Sequence, residues 1–136
     1  MPSAKSVISS IVDTIEGVTV SQKSAVDKLS HIKTFAEISA GRDRQFLLRP
    51  TSGPDKYEKY SGHEWLMRME LVILYNESKG AIDRIVDDAK AIDEAVRGLD
   101  STVSGVSLIE VEPTQTEYNE GLITHSRPFS IRYQDA

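Results

Sequence analysis

Apolar positions along the chain follow two different periods, and the switches between them mark its elements. In Ser3 to Ile15, Val7, Ile8, Ile11, Val12 and Ile15 recur at helical spacing, with Lys5, Ser9, Ser10 and Asp13 off the stripe. The pattern predicts an amphipathic helix, and Gly17 is a natural stop for it. From Val18 to Ala40 two periods compete. Val26, Leu29, Ile32 and Phe35 fit a helix, whereas Ile32, Thr34, Ala36 and Ile38 fit a strand. A strand over His31 to Ile38 is preferred, because Ala40-Gly41-Arg42-Asp43 has turn chemistry and Arg44 to Arg49 reads as another short strand. Pro50 has no N–H to give a ladder and is expected to end the pairing.

Thr51 to Glu64 carries Gly53, Pro54 and Gly62, alternating charges and two tyrosines three apart. Read as a loop, its 14 residues exceed the usual hairpin connection of about 2 to 5. Such length suits a partner-binding element over 51–64, or a disordered one. The clearest strand comes next, Trp65 to Asn76. Trp65, Met67, Met69, Leu71, Ile73 and Tyr75 alternate toward a core, with Leu66, Arg68, Glu70, Val72, Leu74 and Asn76 opposite. That second face turns from charged to apolar, so a helix or a neighbouring subunit is expected over one end. At roughly 40 Å the strand outreaches a small core, which suggests an extension toward a partner.

Asn76 to Gly80 reads as a turn, and Ala81 to Leu99 as the best helix. Its apolar stripe runs Ile82, Ile85, Val86, Ala89, Ile92, Val96 and Leu99; Arg84, Asp87, Asp88 and Asp93 are assigned to the solvated surface. Val106 to Glu112 is a strand, with Val106, Leu108 and Glu110 on one side and Ser107, Ile109 and Val111 on the other. Pro113 to Gly121 reads as an acidic loop. A last strand over Pro128 to Tyr133 turns Phe129, Ile131 and Tyr133 inward and Ser130 and Arg132 outward.

The 136 residues suffice for one domain with its own core. A formal charge of −5 gives no general attraction to nucleic acid. The charge is uneven: residues 1–68 hold ten basic and eight acidic side chains, and residues 69–136 hold six and thirteen. One end or face should be distinctly acidic. With no cysteine, neither a disulfide frame nor a thiolate nucleophile is available. No apolar run approaches the roughly 20 residues of a membrane span, and the N-terminus lacks the apolar stretch of a secretion signal. Synthesis in the cytoplasm is the expectation.

Catalytic motifs are missing. His63-Glu64 opens like a zinc-protease helix, but Met67 stands where the second histidine belongs. The eight glycines form no phosphate loop or dinucleotide fingerprint, and there is no nucleophile elbow. Adjacent acids such as Asp87-Asp88 diverge by about 100° on a helix and do not converge on one ion. The expectation is therefore no catalytic residue, no metal and no cofactor. Tyr57, Tyr60, His63 and Trp65, with Arg44 and Arg49, are the candidate interface residues, since aromatic and arginine side chains anchor interfaces.

Three stretches carry a family resemblance: Arg44-Gln45-Phe46-Leu47-Leu48-Arg49-Pro50 before a long loop, the strand Trp65–Tyr75 running into helix Ala81–Leu99, and the closing Arg127-Pro128-Phe129-Ser130-Ile131-Arg132-Tyr133. With their order in an acidic, cysteine-free chain, they resemble the tail terminator proteins of long-tailed bacteriophages. The resemblance implies a structural, non-enzymatic virion protein found in the tail or neck, assembled in the host cytoplasm. It implies a hexameric ring that ends tail-tube growth and docks the head connector, with the tube protein and a head-closure protein as partners. DNA would pass through the lumen without specific binding, and Glu110, Glu112, Glu117 and Glu120 would be the lumen-facing acids. Domains of similar element order also serve as other head–tail joining or tube components, as ligand-binding domains or enzymes, and as regulatory adaptors. Residues 1–136 are expected to form a single α+β domain, a mainly antiparallel twisted sheet with two helices packed on it.

Overall fold

The computed structural model describes residues 4–18, 30–31, 44–56, 64–76, 80–119 and 121–134. It is an α+β fold of helices laid on one face of a mainly antiparallel sheet. Helix α1 spans Ala4–Glu16 and buries Val7, Ile11, Val12 and Ile15, the stripe its sequence sets out. The chain then contributes β1 (Ser30–His31), β2 (Gln45–Lys56), β3 (Glu64–Asn76), α2 (Ala81–Arg97), the single turn α3 (Leu99–Thr102), β4 (Val106–Val111), β5 (Gln115–Asn119) and β6 (Leu122–Gln134). The strand order is β1-β2-β3-β6-β4, with β5 also on β6.

The frame is the pair β3 and β6, two 13-residue strands in unbroken antiparallel register from Glu64↔Gln134 to Asn76↔Leu122. Met67, Met69, Leu71, Ile73 and Tyr75 from β3 meet Ile123, Phe129, Ile131 and Tyr133 from β6 in one core, under α1 and α2. Each large apolar side chain removed from water here contributes about 1.5–3 kcal/mol. β3 is paired along its full length, so it does not project as a free extension. The apolar end of its second face is covered within the one chain: Val72 and Leu74 are buried, with Leu47 and Leu122 packed against Leu74. No neighbouring subunit is needed there.

Several boundaries move. Pro50 does not end β2. The strand continues to Lys56 through register shifts after Pro50 and after Ser52. β1 pairs β2 only at Gln45 and Phe46, so among the described residues no second ladder needs the N–H that Pro50 lacks. Residues 51–56 are thus strand, and the partner-binding loop over 51–64 loses its first half; 57–63 lie outside the described residues. β1 runs parallel to β2 rather than as its hairpin partner. The rest of the strand expected over His31 to Ile38 lies outside the described residues.

The acidic loop after β4 is also mostly strand. β4 and β5 lie end to end along the same edge of β6, so together they form one long bent hairpin with it. β6 accordingly starts at Leu122, six residues before the expected Pro128. A bulge between Leu108 and Glu110 resets the alternation of β4, which puts Val111 rather than Glu110 on the core side.

Candidate functional site

Three places carry chemistry: a buried ion pair, a histidine at the β5–β6 seam, and the sheet face opposite the helices.

The ion pair begins with a backbone outlier. Arg44 precedes β2 at φ 59°, a left-handed conformation costing roughly 1–2 kcal/mol for a side-chain-bearing residue. Its side chain is fully buried and forks onto Asp88 of α2, Nε to Oδ2 at 2.8 Å and Nη2 to Oδ1 at 3.1 Å. Tyr75 donates its hydroxyl to the same Oδ2 at 3.0 Å. Arg44 is not an interface residue, because nothing of it reaches the surface. Asp88 is not on a solvated face; α2 is rotated so that Arg84, Ile85, Asp88, Ile92 and Val96 face inward. Ile82 and Val86, expected in the core, are 62% and 65% exposed. Asp87 does remain outside, as the divergence of neighbouring helical residues requires.

His125 sits on the core side of β6, opposite Ile73 on β3 and Thr116 on β5. Its Nδ1 lies 3.0 Å from the Thr116 hydroxyl. Burial of the ring, and then the positive charge of Arg127 two residues on, push its pKa below the usual 6.5. Arg127 is itself held, by Asp93 of α2 at 2.9 Å and by the Glu112 carbonyl at 2.8 Å. The sequence offers no sign of this seam beyond the presence of His125.

The third place is the sheet face away from the helices. Register puts Glu110 opposite Ser130 and Glu117 opposite Thr124, on the side shared by Leu66, Arg68 and Glu70. Glu112 joins them, with Oε1 3.3 Å from Arg68 Nη2. Three of the four expected lumen acids therefore share one face; Glu120 lies outside the described residues. Arg49 is on this face too, half-exposed and bonded to Glu70 at 2.6 Å. Arg132 reaches Glu64 at 3.9 Å. The arginines here are matched by carboxylates, and Glu110, Glu117 and Asp55 add further negative charge.

The expected interface set does not gather into one patch. Trp65 is half-buried on the helix side of the sheet and packs against the core, while Arg49 points from the other face. Tyr57, Tyr60 and His63 lie outside the described residues. Among the described residues no three acidic or histidine side chains group as metal ligands, and no helix is long and apolar enough to cross a membrane. A groove of about 500 Å³ between α1 and Leu48 of β2 is lined by Ile8 and Val12 together with the polar Lys5, Ser9, Asp13 and Glu16. Those polar groups come from successive turns of one helix and do not converge on a common point.

No protein-family model matches the chain, and neither does any curated protein.

Proposed function

We propose that the chain is a structural subunit of a phage-like tail, forming a ring at the head-proximal end of the tail tube. The ring ends tube polymerisation and docks the head connector, and protein–protein contact is its only chemistry. One observation carries the reading: Glu110, Glu112 and Glu117, from two different strands and the residue that follows the first, emerge on the sheet face opposite the helices. Turned toward a central hole, that face would repel DNA phosphates and let a genome slide without sticking. The helix-covered face would then lie outward. A ring built this way uses one donor and one acceptor patch per subunit, repeated around a closed axis.

The test is native mass spectrometry of the purified chain at micromolar concentration, alone and with tail tubes, with negative-stain images of the same samples. The expected result is a six-fold species with a central hole, or a ring capping tube ends. A chain that stays monomeric and leaves tubes uncapped overturns the proposal.

A further inference from the structure

Among the described residues the sheet is bordered by β2 beyond Phe46 on one side and by β4 and β5 on the other, and these edges are unequal. β2 carries Pro50, Gly53 and Pro54 and slips register twice; β4 is bulged at Ile109. Such features blunt an edge against pairing. β5 has none of them. Gln115 to Asn119 pair with Ser126 to Leu122 in continuous register, all five residues are exposed, and Tyr118 is 59% exposed. Asn119 and Leu122 flank a two-residue connection and form a hydrogen-bonded pair, so alternation along the ladder aims the N–H and C=O of Thr116 and Tyr118 away from β6. Two donors and two acceptors thus stand at the spacing of a strand.

We propose that β5 is a docking edge that adds an extended segment of a different protein, one bearing a Lys or Arg opposite Glu117. The inference rests on the assembly reading and names the element that meets the head or tube partner. Backbone groups facing outward in a row are satisfied by another strand. Charge selects which one. A second copy pairing antiparallel through Thr116 and Tyr118 would set Glu117 directly against its own counterpart, an unfavourable like-charge pair. A cation at that position pairs with Glu117 instead. Tyr118 supplies aromatic surface on the opposite side of the added strand.

The experiment is amide hydrogen exchange by NMR on the full chain, with the peptide acetyl-Thr-Val-Lys-Val-Thr-amide as probe at millimolar concentration. Exchange at Thr116 and Tyr118 should slow by roughly tenfold or more, and much less with a glutamate at the peptide's centre. Tyr118→Pro, which removes an outward donor and leaves the β6 ladder alone, should abolish the effect; Tyr118→Ala should keep part of it. Unchanged β3–β6 protection certifies that each variant is folded. Equal slowing by both peptides, none by either, or protection that grows with protein concentration alone overturns the proposal. Ring formation is read separately by native mass spectrometry, so failure of the assembly reading is distinguishable from failure of this one.

Discussion

Arg44 and Asp88 face each other at 2.8 Å with neither side chain exposed, joining the start of β2 to the middle of α2. Removing Asp88 takes away the carboxylate on which the buried Arg44 guanidinium forks. Asp88→Ala should therefore cost about 3–5 kcal/mol, read as a lower urea midpoint. Replacing both, Arg44→Met with Asp88→Leu, should recover part of that loss, because neither member of the pair then stays buried without the other. Tyr75→Phe removes the hydroxyl's hydrogen bond to Asp88 and should cost about 1 kcal/mol. A single variant as stable as the double one would contradict the arrangement.

His125 makes stability depend on pH below neutrality. Its folded pKa is depressed relative to 6.5, by burial first and by Arg127 second, so the unfolded chain takes up a proton more readily. The neutral ring's contribution is fully present above 6.5 and is lost as the pH falls through the lowered folded value. Unfolding curves should weaken from pH 7 toward pH 5, and His125→Gln should flatten that decline. The difference between the two proteins isolates the ring. Parallel curves would rule out His125 as the source.

Two glycines with positive φ should respond differently to alanine. At Gly53, φ 87°, an added Cβ would lie 2.7 Å from the Leu66 carbonyl oxygen and 3.0 Å from the Asp55 nitrogen. Strain and a backbone clash combine, and Gly53→Ala should cost more than about 2 kcal/mol. At Gly121, φ 84°, a Cβ meets nothing within 4 Å, so only the backbone preference of about 1 kcal/mol remains. Thermal melts of the two variants check the order; the reverse order would mean that β2 yields at its irregular segment.

What the chain makes legible is whatever rests on one-sided burial over many residues. α1 and β3 repeat their apolar period for three turns and twelve positions, and both form where expected. α2 is legible as a helix but not in its orientation. Ile82 and Val86 look like core by spacing; yet Asp88 turns inward because Arg44, 44 residues away, meets it there. No local pattern encodes a partner so distant. β5 escapes sequence reading for a different reason. Gln-Thr-Glu-Tyr-Asn has no apolar face because all of it is exposed, so periodicity is silent. The short turn ending at Gly121, followed by the alternation of β6, is the available signal. Acidic composition alone singles out Glu110, Glu112 and Glu117, but only the β4 bulge and the β5 register explain why the three share a face.

That shared face makes a prediction about DNA. The protein carries a net charge of −5, and Glu110 and Glu117 are exposed on the side away from the helices. Replacing both by lysine changes the charge by two at each site, which brings the chain to −1. If this side faces the hole of a ring, the reversed side chains are multiplied around the lumen and meet phosphates on every side. The variant ring should then retain duplex DNA at low salt and release it as salt rises, with a logarithmic slope that steepens by about one for each phosphate the new lysines neutralise. The unaltered ring should not bind. Exposure of both residues keeps the effect on folding small, about 0.5 kcal/mol or less. A variant ring of the same size that still ignores DNA would place this face away from the channel, and the acids would then serve only a solvated surface.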